Sequence, residues 1–282
     1  NFPAGIPYPV LKISQYPVPV EKVRKLFSSC KSVLVLEEGY PLIERGLTGL
    51  LGTPSVPVHG RLDGTIPRDG ELTPDLVAVA LGLKPLSGLP VPEFLASRPP
   101  SMCKGCGHID TYNALLEALQ PFGGGRTFSD IGCYTLGALP PFDAINSCVD
   151  MGASITMAKG AADAGLVPAV AVIGDSTFTH SGMTGLLDVV NENSPVTVII
   201  SDNETTGMTG GQASAAVGKL ESICLGLGVA PDHLRLITPL RKNHAQNVAV
   251  IAEELNYSGV SVVISRRECI QTATRSKKAE KS

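Results

Sequence analysis

Three short stretches carry residues from which chemistry could be built: Asp130-Ile-Gly-Cys133, Gly174-Asp-Ser-Thr177 and Asp202-Asn-Glu-Thr-Thr-Gly207. Each sits where a strand is expected to end. Asp175 offers a carboxylate and Asn203 an amide oxygen. With a backbone carbonyl they make a hard oxygen set of the kind Mg²⁺ takes while sharing its shell with phosphate oxygens. The amides of Ser176, Thr177, Thr206 and Gly207 can face the same phosphates, because a strand running into a helix start is a natural anion site. Taken singly, Asp175 reads as a helix cap and Asn203 as a turn residue. Taken together, with GMTGGQ following closely, they predict a diphosphate held through a divalent ion.

The seven cysteines are a second source of chemistry. A chain long enough to bury a sizeable core has no need of a disulfide framework, so position matters more than number. Cys103 and Cys106 form a C-x-x-C in MCKGCGH, Cys133 sits in DIGCYTLG, and Cys269 follows a late apolar strand in VVISRRECI. Cys30, Cys148 and Cys224 read as small core hydrophobes.

The elements that must position these groups follow from hydrophobic patterning. Pro168-Ala-Val-Ala-Val-Ile173 has no polar alternation, as expected of a strand covered on both faces. From residue 101 onward helices are expected at Ile109–Gln120, Ala153–Ala164, Gly182–Glu192 and Lys242–Tyr257. Strands are expected at Thr127–Ser129, Ala169–Ile173, Val196–Ser201 and Val260–Ser265. This alternation predicts an α/β fold, a doubly wound and mostly parallel sheet whose ligands bind at the carboxyl ends of the strands. A right-handed crossover between SPVTVIISD and the preceding strand would bring Asp175 and Asn203 together. Residues 1–90 predict a smaller α/β domain, with a buried strand in SVLVLEEGY (32–40) and a helix over 74–83 that has Thr73 as N-cap and Pro74 at its first position. The proline-rich 91–100 reads as a linker, 101–272 as the second domain and 273–282 as a tail.

Composition narrows the function classes. The 282 residues are 43% apolar with a formal net charge of −3, which gives no electrostatic footprint for nucleic acid; Lys277 and Lys278 read as a solvated end. No apolar stretch reaches the ~18 residues of a membrane span, and the N-terminal stretch lacks the marks of a signal peptide, so a cytoplasmic location is the default. The first residue is not Met, from which a fragment or processed product is expected.

The segments CKGCGH, DIGCYTLG, MGASITMAKG, GDSTFTHSG and DNETTGMTGGQ, in that order, resemble the large subunit of the indolepyruvate ferredoxin oxidoreductases, within the thiamine diphosphate enzymes. The likeness runs from about Pro99 to Ile270. VLVLEEGYPLIE and GELTPDLV resemble the transketolase C-terminal-like domain that precedes it in the same subunit.

The resemblance implies the thiamine diphosphate-binding fold and the oxidative decarboxylation of an aryl 2-oxoacid to its acyl-CoA, with electrons passed to ferredoxin. It implies Asp175, Asn203 and the Thr205 carbonyl as Mg²⁺ ligands. Gly174, Ser176, Thr177, Thr206 and Gly207 would line the diphosphate. Gly132 and Cys133 would lie beside the thiazolium ring, with His108 as a polar contact near it. Cys103, Cys106, Cys133 and Cys269 occupy places that hold a 4Fe-4S cluster in related enzymes. On the residues alone, iron–sulfur, structural zinc and unligated thiols stay open.

Implied partners are the 2-oxoacid, coenzyme A, ferredoxin, a pyrimidine-binding domain, a small subunit and an oligomeric assembly. The pyrimidine-binding domain and a C-terminal ferredoxin-like domain are missing from the pattern, so a fragment or one chain of a split enzyme, inactive alone, is expected. The rival readings are a non-redox thiamine diphosphate decarboxylase or carboligase, which has no use for the four cysteines, and an inactive assembly domain that retains the fold. His180 reads as a helix-start residue, and His59, His233 and His244 as solvated or locally bonded. Glu37 and Glu38 read as turn acids.

Overall fold

Unbroken apolar runs need cover on both faces, and the arrangement that provides it is visible in the computed structural model, which describes residues 5–49, 55–85, 88–96 and 98–279. The chain forms two compact units, Asn1–Ala96 and Ser97–Ser282. The smaller contains α1 (Val20–Ser29), β1 (Val33–Leu34), α2 (Leu42–Thr48), β2 (Val58–His59) and α3 (Pro74–Ala80), with β1 and β2 paired in parallel. Thr73 caps α3 as expected, its Oγ1 accepting from the Leu76 N–H at 3.3 Å. The strand expected over 32–40 is shorter, because the chain turns at Glu37 to start α2. The Glu37 carboxylate accepts the N–H groups of Ile43 and Glu44, both at 2.9 Å, so it is a capping acid.

The larger unit runs α4 (Gly107–Leu119), β3 (Thr127–Ser129), β4 (Ser147–Cys148), α5 (Ala153–Asp163), β5 (Ala169–Gly174), α6 (Asp175–Thr177), α7 (Met183–Glu192) and β6 (Val196–Asp202). It continues through the hairpin strands β7 (Thr205–Thr206) and β8 (Gln212–Ala213) to α8 (Leu220–Gly226), β9 (Leu234–Ile237), α9 (His244–Leu255), β10 (Ser261–Arg266) and α10 (Ile270–Ala279). Six strands form one sheet in the order β4-β3-β5-β6-β10-β9, and every pair in it is parallel.

Alternate residues of the central strands feed two cores. Ala169, Ala171 and Ile173 of β5 meet Ile155 and Ala158 of α5 and Leu186 and Val189 of α7 on one face. Val170 and Val172 meet Leu115 and Ala118 of α4 and Ile251 and Leu255 of α9 on the other. The sheet is therefore doubly wound, as expected.

The strand order reverses between β3 and β5, with β4 to one side and the rest of the sheet to the other. Such a switch point opens a crevice at the carboxyl ends of its two strands. Those ends are Asp130 and Gly174. The helix expected from Gly182 is longer at its start, since α6 and a π-helical turn over Phe178–Gly182 carry a helical path from Asp175 into α7. From 273 to Ala279 the segment read as a tail is helical and belongs to α10.

Candidate functional site

Register decides which side chains meet. Gly174 of β5 pairs with Ser201 of β6, so Asp175 and Asp202-Asn203 leave the sheet side by side. Asp175 is buried at 2% exposure, and its Oδ2 has no hydrogen-bond partner among the described residues. The Asn203 carboxamide stands 3.3 Å from Asp175 Oδ1 and 2.7 Å from the Thr205 carbonyl. In one amide orientation its NH₂ bridges those two acceptors. In the other, three oxygens face one another and Asn203 Oδ1 accepts the Thr205 N–H at 3.3 Å. Burial, with the nearby Asp202 charge adding to it, outweighs the Ser214 and Ser176 hydrogen bonds and pushes the Asp175 carboxyl up to about 6. An acidic group held short of donors beside two further oxygens suits a hard cation.

The remaining phosphate-side residues gather at the same place. Thr206 Oγ1 donates to Ser176 Oγ at 3.1 Å, and Thr177 donates to the Ile131 carbonyl at 3.3 Å. A Cβ on Gly207 would lie 3.3 Å from Cys133 Sγ, so this loop and the one after β3 touch. Gly132 and Gly174 both lie against the ring of Tyr134, where neither has room for a side chain.

Below them Asp130, fully buried, accepts from the Gly152 N–H at 3.1 Å, the Ser154 hydroxyl at 2.7 Å and the Tyr134 hydroxyl. This brace fixes the loop that carries Gly132 and Cys133. Sequence reasoning gave Asp130 and Tyr134 no role. The available signal was an acid directly after the strand expected at Thr127–Ser129.

The four singled-out cysteines converge although they come from three separate loops. Cys103, Cys106, Cys133 and Cys269 line one cavity of about 180 Å³, together with His108 and Asn203. Burial first, then the proximity of the other three sulfurs, pushes the Cys106 thiol up to about 11 against the His108 backbone N–H that favours its thiolate. Cys133 is raised by burial and by Cys269 and Cys103.

Local folding explains the convergence. Gly105, at φ +80°, makes the left-handed turn that brings Cys106 round to start α4, its N–H bonded to the Cys103 carbonyl at 2.9 Å. The Cys269 N–H donates to the Asn203 carbonyl at 3.1 Å, tying the end of β10 to the loop after β6. Cys106 is the N-cap of α4, Cys133 opens a 3₁₀ turn and Cys269 immediately precedes α10. The positive ends of two helices and a turn thus face the sulfurs. Among the described residues, no three His, Cys, Asp or Glu side chains stand close enough as placed to grip one ion.

His108, in the first turn of α4, is 5% exposed, and burial pushes its imidazole down to about 4, which leaves it neutral. The structure puts it in the wall of the thiol cavity. His180 is exposed, and its Nδ1 lies 3.0 Å from Ser181 Oγ. His59, His233 and His244 each pair with a carboxylate, at 2.7, 2.9 and 2.8 Å. Of the three cysteines read as core hydrophobes, only Cys224 is buried. Cys148 is exposed because its strand is the sheet edge, and Cys30 ends α1 half-buried.

The family profile described as "Thiamine pyrophosphate enzyme, C-terminal TPP binding domain" matches residues 130–280. Three relatives bear the name "Indolepyruvate oxidoreductase subunit IorA". That of Methanothermobacter thermautotrophicus is 34% identical over 94% of this chain and 46% of its own length. That of Archaeoglobus fulgidus is 33% identical over 96% and 46%, and that of Pyrococcus horikoshii 31% identical over 92% and 45%. The chain spans just under half the length of these relatives.

Proposed function

We propose, from the premise that this chain belongs to the thiamine pyrophosphate enzymes and carries their C-terminal TPP binding domain, that it is the cofactor-binding portion of a cytoplasmic indolepyruvate, or aryl 2-oxoacid, ferredoxin oxidoreductase. The observation that carries the reading is the convergence of two sets of ligand-type groups in adjoining loops. One is the oxygen set of Asp175, Asn203 and Thr205; the other is the thiol set of Cys103, Cys106, Cys133 and Cys269. A non-redox enzyme of this fold has use for the first set only.

When bound, thiamine diphosphate supplies the carbanion chemistry that lets a 2-oxoacid lose carbon dioxide. The chain's own residues hold and orient. Asp175, Asn203 and the Thr205 carbonyl would hold Mg²⁺, and the buried Asp175 carboxylate keeps an oxygen without a hydrogen-bond partner among the described residues. Ser176, Thr177, Thr206 and Gly207 would offer amides and hydroxyls to the diphosphate, with Gly174 admitting the Tyr134 ring beside them. Gly132 and Cys133, fixed by the Asp130 brace, carry the backbone to the thiazolium side.

The four thiols fit a 4Fe-4S cluster by number, softness and mutual proximity. They lie against the loop that would hold the cation, so a cluster there would adjoin the cofactor's diphosphate end. Coenzyme A, ferredoxin, a pyrimidine-binding domain and a small subunit complete the reaction in an oligomeric enzyme.

The test is the iron, acid-labile sulfide and zinc content of anaerobically purified chain, with a visible spectrum before and after dithionite. About four irons and four sulfides per chain, with reducible absorbance, are expected. Zinc in their place, or a folded chain with no metal after reconstitution, overturns the redox reading.

A further inference from the structure

We propose that Gln271 is a positioning residue for Cys103: its carboxamide stays hydrogen-bonded to that sulfur when the group held by the four thiols is in place, and raises the group's reduction potential. This inference rests on the iron–sulfur reading above.

The contact is direct. Gln271 Nε2 donates to Cys103 Sγ at 3.3 Å, and both residues line the thiol cavity. Gln271 stands two residues after Cys269, so the bond joins two of the three loops that carry the sulfurs.

The backbone that presents Gln271 is held at three points. The Ala273 N–H donates to the Cys269 carbonyl at 3.0 Å, which starts α10 directly after that cysteine. Ile270 packs on the C-x-x-C turn, its Cδ1 3.1 Å from where a Cβ on Gly105 would lie. One turn further on, Arg275 Nη1 donates to the Gly210 carbonyl at 3.1 Å. The start of α10 is thereby anchored between the C-x-x-C turn and the β7–β8 hairpin, and it is this turn of helix that carries Gln271.

Chemistry selects the end of the carboxamide that faces the sulfur. A metal-bound thiolate has lone pairs and no hydrogen, so it accepts from the NH₂ and has nothing to offer the amide oxygen. The carboxamide does not titrate, so the donor is present at every working pH. Hydrogen bonds to the sulfurs are among the factors that set a cluster's potential, because a donor stabilises the extra negative charge of the reduced form. Gln271 thus acts through Cys103 and supplies no ligand of its own.

The experiment uses the full chain reconstituted anaerobically with ferrous iron and sulfide. Iron content is measured, and the midpoint potential is read by a redox titration followed by electron paramagnetic resonance. Gln271→Leu, which keeps the size and removes the donor, is expected to retain the wild-type iron and to titrate at a lower potential. An unchanged potential in a fully loaded Gln271→Leu overturns the proposal.

If that variant loads no iron, wild-type chain labelled with ¹⁵N in its glutamine side chains decides. Gln271 is the one glutamine among the described residues that line the cavity, so a weak nitrogen hyperfine coupling to the reduced cluster has a single source and supports the hydrogen bond. No coupling overturns it. Failure of the wild type itself to bind iron removes the cluster reading, and this proposal with it, and the iron assay tells that result apart.

Discussion

Replacing Asp130 by alanine removes the acceptor on which three buried donors converge: the Gly152 N–H, the Ser154 hydroxyl and the Tyr134 hydroxyl. A buried donor left without a partner costs about 1–3 kcal/mol, so the loss should be about 3 kcal/mol even at the low end. Asp130→Asn keeps an oxygen for two of the donors, and the Tyr134 hydroxyl can turn to accept from the new amide. It should stay within about 1 kcal/mol of the wild type.

The pH dependence supplies an independent sign. Burial outweighs the hydrogen bonds and raises the Asp130 carboxyl above its usual 3.8, so the native chain holds this proton to higher pH than the unfolded chain. Its contribution is complete below 3.8 and is lost as pH rises through the folded-state value. The wild type should therefore lose stability relative to Asp130→Asn as pH climbs out of the acid range.

Urea unfolding followed by far-ultraviolet circular dichroism is the assay, since the chain has no Trp to report by fluorescence. An Asp130→Ala loss below about 1 kcal/mol, or a wild-type minus Asp130→Asn difference that grows with pH, would refute the reasoning.

Gly132→Ala should cost about 1–3 kcal/mol in the same unfolding experiment, because the new Cβ overlaps the ring of Tyr134, whose hydroxyl is pinned; wild-type stability would show that the ring is free to move. Asp175→Ala in the assembled enzyme should abolish Mg²⁺-dependent thiamine diphosphate binding by calorimetry while leaving circular dichroism unchanged, and undiminished affinity would remove Asp175 from the ligand set. Cys269→Ser should lower iron retention, whereas Cys224→Ser, at a buried site outside the thiol cavity, should leave iron content alone.

Much of the larger unit was legible in the sequence because buried parallel strands have a blunt signature. β5 and β10 are apolar without alternation; β5 starts where it was read and runs one residue longer, and β10 is displaced by one residue at each end. Helices α4, α5 and α9 announced themselves by spacing. What escaped notice carries weak patterning. β4 is two residues at an exposed edge, and the β7–β8 hairpin is defined by glycine geometry at Gly210 and Gly211. α10 is polar enough to read as a tail.

At the site, Asp175 and Asn203 could be paired from the sequence, since adjacency in a wound sheet follows from chain order. The gathering of Cys269 with Cys103 and Cys106 was readable only through the family resemblance, not from patterning. It requires β10 to lie beside β6, and the order of β9 and β10 in the sheet is not written in their composition. The Asp130 brace was hidden for a related reason: its partners, Gly152 and Ser154, lie beyond the edge strand β4 in the chain.

The hydrogen bond from the Cys269 N–H to the Asn203 carbonyl ties a peptide group of one candidate ligand loop to a peptide group of the other. Occupancy at the two places is then a shared variable. A cation that settled the Asn203 backbone would also settle the amide of Cys269, and a cluster that fixed Cys269 would narrow the swing of the Asn203 loop in return. Such linkage would be reciprocal, each group changing the other's affinity by the same factor. Were both groups bound, the sites would therefore be coupled through this one hydrogen bond.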